Sequence, residues 1–177
     1  MNTRELILSD FRAYKNSTSF FREYIINRGL RVTTWFRIAQ AARKSLPKVL
    51  FLPIRTHFRR ISRKYGVDMP VSVIAGHSLR IFHGFGLVLN GESVLGNHVT
   101  LQHGVTLGGK KDGAPVIGNN VQIMPGSKLI GKIHIGNNVI VGANSVVTKD
   151  VPDNAVIAGV PFKILYYAEP GVESENS

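Results

Sequence analysis

IGNNVQIMPGSKLIGKIHIGNNVIVGANSVV, residues 117–147, repeats every six residues. Ile117, Ile123, Leu129, Ile135, Val141 and Val147 mark the beat. Four places after each stands a second small or branched residue: Val121, Ser127, Ile133, Val139, Ser145 and Val151. A period of six fits neither the 3.6-residue turn of an amphipathic helix nor the alternation of a plain hairpin. It fits a solenoid in which each flat face takes one hexad, the aliphatic side chain points inward, and Gly, Asn or Asp turns the corner.

The beat extends backward through Leu107, Leu101 and Leu95, with Val105 and Val99 in the second position. Two gaps interrupt it. Leu107 to Ile117 is ten residues, an insertion of four around GGKKDGAP, and Leu87 to Leu95 is eight, an insertion of two. Solenoids carry functional loops as insertions between repeats, and both gaps fall near histidines.

Residues 1–65 have a different texture. Leu30, Thr34, Ile38 and Ala42, with Trp35 and Ala39 beside them, recur at helical spacing with Arg31, Arg37, Arg43 and Lys44 between, which predicts amphipathic helices. Breaks are expected near Asn16 to Thr18, Gly29, Pro47 and Pro53. The reading divides the chain into a basic helical segment (1–65), a mainly β solenoid (66–165) and a polar tail (166–177).

Composition narrows the chemistry. The chain has no Cys, which excludes disulfides, thiolate metal sites and a cysteine nucleophile. Its formal net charge is +11. Fifteen of its 22 Lys and Arg, but three of its 11 Asp and Glu, lie in residues 1–65. The apolar run LPKVLFLPI (46–54) contains a Lys and two prolines and is about half the roughly 20 residues of a spanning helix. It suits a membrane interface, so peripheral contact with an anionic membrane is expected beside the helices' main task of capping the solenoid. No secretory leader is legible, and a cytoplasmic location is expected. Nucleic-acid binding is not expected, because the basic residues show no regular interleaving with stacking aromatics.

The hexads, together with HGFGLVLNGESVLGNHVTLQHGVTLGG and the closing AGVPFKI, resemble the hexapeptide-repeat acyltransferases, in particular their serine acetyltransferase-like branch, which includes O-acetyltransferases of surface polysaccharides. The resemblance covers roughly residues 65–165. It implies a left-handed parallel β-helix, a homotrimer, and acetyl-CoA held in the groove between neighbouring subunits. In serine acetyltransferases a His two places after an inward aliphatic residue is the base, paired with an Asp fifteen residues earlier. Here Ile81 is followed by His83, and Asp68 stands fifteen residues before it.

Those two residue types suit the chemistry. A hydroxyl is a poor nucleophile until a base takes its proton, and imidazole titrates near ~6.5. A carboxylate on the other ring nitrogen fixes the tautomer and stabilises the imidazolium. Backbone N–H groups of the glycine-rich turn around Gly108 and Gly109 are expected at the oxyanion. The resemblance implies a coenzyme A groove running past Gly108, Gly109, Ala143 and Gly159, with Lys149 and Lys163 near the phosphates. No metal is expected, since no histidine pair has zinc-ligand spacing with a third ligand. His57, His77, His98 and His134 read as structural or solvated.

Departures from the pattern bear on the acceptor. Serine acetyltransferases carry an Asp just before the base and an Arg-His pair in the inserted loop. Here those places hold Phe82, Gly113 and Ala114. With Phe82 and Phe85 beside the base and His103 in the acceptor site, the expectation is a saccharide of a surface polysaccharide, with serine as the alternative acceptor.

Overall fold

The computed structural model describes residues 1–14 and 19–168. The described residues form helices α1 (Thr3–Arg12), α2 (Phe20–Ile26), α3 (Arg28–Ser45) and α4 (Lys48–Lys64), followed by short strands wound into a three-faced parallel β-helix. The first face stacks β1 (Val67–Asp68), β4 (Leu87–Leu89), β7 (Thr106–Gly108), β10 (Lys128–Ile130) and β13 (Val146–Val147). The second stacks β2 (Ile74–Ala75), β5 (Val94–Leu95), β8 (Val116–Ile117) and β11 (His134–Ile135). The third stacks β3 (Arg80–Ile81), β6 (Thr100–Leu101), β9 (Gln122–Ile123), β12 (Ile140–Val141) and β14 (Ala155–Gly159), against which β15 (Phe162–Tyr167) folds back antiparallel. The polar tail was expected from residue 166, but Tyr166 and Tyr167 belong to β15, which pairs with β14; beyond Ala168 the tail lies outside the described residues.

The hexads are the reason the chain winds. Every beat residue from Leu95 to Val147 is at most 2% exposed, and their second-position partners from Val99 to Val151 at most 6%. Each fully buried aliphatic side chain contributes about 1.5–3 kcal/mol, so the coil repeats wherever the beat does. The insertion of four falls where the spacing put it, between β7 and β8, with Lys110 and Gly113 closing a tight loop. The insertion of two lies one corner earlier than expected. Leu87 and Leu89 are both buried, but it is Leu89 that pairs with Leu107, so the extra residues precede Leu87.

The corner between the second and third faces carries a ladder that the beat alone did not show. The side-chain oxygen of Asn97 accepts from His77 N, that of Asn119 from Asn97 N, that of Asn137 from Asn119 N, and that of Asp153 from Asn137 N, at 2.7–3.1 Å. One place further on, Ser78, His98, Asn120, Asn138 and Asn154 all take left-handed backbone, which Asn tolerates best among residues with a side chain. His98 thus serves the corner. Hydrogen bonds from the Asn137 backbone and side chain hold the Asp153 carboxyl below its ordinary value of 3.8. A depressed carboxylate contributes stability that is present above the unfolded value and lost as pH falls through the folded one. Asp153→Asn is therefore expected to be less stable than wild type at pH 7, to approach it at pH 3, and to lose less stability below about pH 4, as urea titrations at pH 3 and pH 7 would show.

The helices close the open end of the first coil. Asp10 and Arg37, each about 1% exposed, form a buried pair: Asp10 accepts from Arg37 Nε at 2.9 Å and Nη2 at 3.1 Å. Asp10 also accepts from Leu79 N at 2.8 Å, and Arg37 donates to the carbonyls of Ala75 and Gly76. Ser9 accepts from Ser78 N, Gln40 donates to Val73 O, and the Tyr14 hydroxyl both accepts from and donates to Ile81. These backbone groups are the ones a preceding coil would otherwise satisfy, so the side chains replace a missing strand edge. Burial raises the Asp10 carboxyl above its ordinary value, while Arg37 and Leu79 pull it down.

Two sequence expectations change here. α3 is buried on nearly all sides rather than amphipathic, and Arg37 lies inside, because Asp10 of α1 neutralises it. The break expected near Gly29 is present at Asn27, which ends α2 and caps α3; Gly29 itself stands in the first turn of α3, where a Cβ would overlap the Ile81 carbonyl. Pro53 lies within α4. It removes the donor that would bond the carbonyl of Val49, and Val49 is 80% exposed, so water can take the donor's place. The break expected near Asn16 to Thr18 falls mostly outside the described residues.

Candidate active site

The candidate base stands on the corner between the third and first faces, which is enlarged once. Val67 pairs with Leu87, twenty residues on, whereas Val88 pairs with Thr106, eighteen on. Gly104 N donates to Phe85 O, Gly126 N to His103 O and Asn144 N to Pro125 O, at 2.8–2.9 Å. Phe85, His103, Pro125 and Ala143 are therefore equivalent positions on successive coils. Gly159, two residues beyond the Ile157 that pairs with Val141, continues the column.

His83 and Gly84 are the two extra residues. The shared offset of His83 and His103 from their inward aliphatic residues is thus not an equivalence in space; Phe85 is the residue above His103. His83 is exposed, with φ of 56°. Its carbonyl accepts from Phe85 N, and Gly84 O accepts from Leu87 N at 3.0 Å, which folds the insertion into a tight bulge. The bulge brings the His83 ring edge-on to that of His103, centroids 6.3 Å apart.

Asp68 lies exposed on β1, in register with Val88. Among the described residues neither its carboxylate nor the His83 ring makes a hydrogen bond or ion pair. Phe82 is half-buried, with the Arg80 guanidinium 4.7 Å from its ring centre and the Tyr14 ring at 6.2 Å. Phe85 is 74% exposed but lies over Gly66, where a Cβ would come within 2.7 Å of the ring.

The residues assigned to coenzyme A fall into two groups. Ala143 and Gly159 share the column with His103, and Lys163 pairs across the hairpin with Ala158. Gly108 ends β7, and Gly109 and Lys149 each stand two residues past paired hexad positions, Leu107 and Val147, on the corner between the first and second faces. That corner runs along the opposite edge of the first face from His83. At Gly109 a Cβ would meet the Asn90 amide at 2.5 Å, so a larger residue there would displace the Asn90 side chain.

Two cations near the corner were not singled out from the sequence. Arg80 is half-buried, bonded to the Ala13 carbonyl and the Thr100 hydroxyl, and burial lowers its pKa from the ordinary value. Lys128 donates to Gly104 O and to Thr106 Oγ1. Each immediately precedes an inward aliphatic residue, Ile81 or Leu129, so strand alternation could have placed both on the outer surface. Among the described residues no group of three or more His, Cys, Asp or Glu could hold a metal.

Residues 114–149 match the bacterial transferase hexapeptide family (six repeats). The serine acetyltransferase of Synechococcus elongatus is 34% identical over 140 residues, 77% of this chain and 54% of the relative. A crystal structure of Neisseria gonorrhoeae serine acetyltransferase in complex with serine superposes with a TM-score of 0.78 at 30% identity, covering 91% of this chain and 68% of that one. The chain belongs to the hexapeptide-repeat acyltransferases. A serine acetyltransferase complex with CoA matches this hexapeptide-repeat acyltransferase equally well, with a TM-score of 0.78 at 29% identity over 92% of this chain and 69% of that one. The solenoid is a left-handed parallel β-helix. The chain spans about half the length of the curated relatives it matches.

The comparisons overturn the saccharide acceptor. The relatives and solved structures of this hexapeptide-repeat acyltransferase carry the name serine acetyltransferase, which was the alternative. The saccharide reading rested on the charges missing at Phe82, Gly113 and Ala114 and on Phe82 and Phe85 beside the base; the structure flanks the Phe82 ring with Arg80 and Tyr14 and leaves Phe85 exposed.

Proposed function

We propose that this chain transfers the acetyl group of acetyl-CoA to the hydroxyl of serine. The observation that carries the reading is the likeness, over 91% of the chain, to a serine acetyltransferase bound to serine. The exposed histidine on the enlarged corner between the third and first faces supports it. In the proposed step the neutral His83 imidazole takes the hydroxyl proton as the serine oxygen attacks the thioester carbonyl carbon. The C–S bond breaks as the tetrahedral intermediate collapses, and the imidazolium returns the proton to the departing CoA sulfur. Asp68, whose carboxylate has no other partner among the described residues, accepts the remaining imidazole N–H once substrate draws the site together, as catalytic hydrogen bonds commonly tighten on binding.

The division of the coenzyme A residues between two corners supports a homotrimer. Gly108, Gly109 and Lys149 of one subunit can meet the His83, His103 and Ala143 corner only if it belongs to a neighbour. The inserted loop sits on that same edge, and its Lys110, Lys111 and Asp112 are exposed, offering both signs of charge to the serine carboxylate and ammonium that Gly113 and Ala114 cannot bind. Asp112→Ala is expected to raise KM for serine about tenfold, the size of one charge-assisted hydrogen bond, with kcat and KM for acetyl-CoA little changed. Steady-state kinetics in both substrates tests the assignment, and an unchanged KM for serine would remove Asp112 from the site.

A further inference from the structure

Between α4 and the start of the first coil lies a cleft of about 770 Å³ whose wall includes Arg43, Arg55, Arg59 and Arg63. It stands at the opposite end of the solenoid from Ala143 and Gly159, and of the residues given a role in transfer only Asp68 reaches it. Three of the arginines follow one another at four-residue spacing on α4, a helix without Asp or Glu. Like charges so spaced weaken a helix. The last-turn position of Arg63 suits the negative end of the helix dipole, but Arg55 and Arg59 lie further in. Among the described residues none of the four makes an ion pair.

A second, independent feature is Ser62 in the same wall. It is 5% exposed, and its hydroxyl has no hydrogen-bond partner among the described residues. A helical serine can turn back to the carbonyl four residues earlier; this one does not. A buried hydroxyl without a partner beside four unpaired guanidinium groups is a donor set that lacks an acceptor.

We infer that this cleft binds a phosphate-bearing ligand. Guanidinium forks match pairs of phosphate oxygens, and a hydroxyl can donate to a remaining one. The volume falls within the roughly 300–1,000 Å³ of small-molecule sites. Two sources could supply the group: a soluble organic phosphate, or a lipid headgroup reached through the exposed Val49, Leu50 and Leu52 of α4.

The test uses inorganic pyrophosphate in calorimetric titration. In parallel, it uses sedimentation with phosphatidylcholine vesicles with and without phosphatidic acid. Wild type is compared with the Arg55→Gln/Arg59→Gln double variant and with Ser62→Ala, all of which leave Asp68 intact. Pyrophosphate is expected to bind the wild type and to bind at least tenfold more weakly to the double variant, about threefold more weakly to Ser62→Ala, and more weakly still with added salt. Sedimentation that requires both phosphatidic acid and the two arginines supports the site and assigns the headgroup; pyrophosphate binding without such sedimentation supports it and assigns a soluble ligand. Binding of neither probe, or binding that the double variant retains in full, overturns the inference. Removing an unpaired hydroxyl leaves folding intact, so an unchanged melting temperature in Ser62→Ala separates lost binding from lost structure. Neither readout depends on acetyl transfer.

Discussion

His83→Asn is expected to lower kcat/KM for acetyl transfer to serine by about 10²–10⁴-fold, the usual contribution of a positioned general base. Asparagine is the informative substitution because His83 has φ of 56°, and asparagine tolerates left-handed backbone better than alanine does. The exposed ring makes no hydrogen bond to the rest of the described chain, so the melting temperature should stay within a degree or two of wild type. The pH profile gives a second readout. Any limb of the wild-type profile that reports the base should be missing from the residual activity of the variant. A variant retaining more than a tenth of the activity, with the limb intact, would remove His83 from the role of base.

Arg37→Ala is expected to destabilise the fold by about 3–5 kcal/mol, the cost of removing one partner from a buried ion pair. The loss has named components. Asp10 would stay buried without its counter-charge, and the carbonyls of Ala75 and Gly76 would lose their donors. Asp10→Asn should cost less, since an amide oxygen can still accept from Leu79 N at the place of the carboxylate. Urea denaturation of the two variants orders them, and a loss below about 1 kcal/mol in Arg37→Ala would mean that the helices do not close the first coil through this pair.

The pair also marks how far the sequence could be read. The β-helix was legible because each inward position repeats at a fixed interval, and burial from Leu95 to Val147 follows that beat without exception. Arg37 read as a surface residue because its partner lies 27 residues away on another helix, a separation that no periodicity reports. The two-residue insertion was placed one corner late because Leu87 and Leu89 are both aliphatic, and only strand register distinguishes them. His83 and His103 shared an offset in the sequence, but hydrogen bonds between coils show that Phe85 is the residue above His103.

The acceptor was read less well than the fold. Charge lost at Phe82, Gly113 and Ala114 weighed against serine, while charge available in the same loop at Lys110, Lys111 and Asp112 was not weighed. The contact of Phe82 with Arg80 was also open to inference, because the two residues flank inward Ile81 and so face the same way on β3. A half-buried ring already flanked by a guanidinium and by Tyr14 is a poor platform for a sugar.

Acetyl transfer to serine is read out by following thiol release from acetyl-CoA with L-serine as the acceptor, with O-acetylserine identified in the product. Such transfer predicts release that requires serine, matches the ester formed mole for mole, and falls to near background in His83→Asn. A protein that binds acetyl-CoA yet releases no thiol with saturating serine would contradict it.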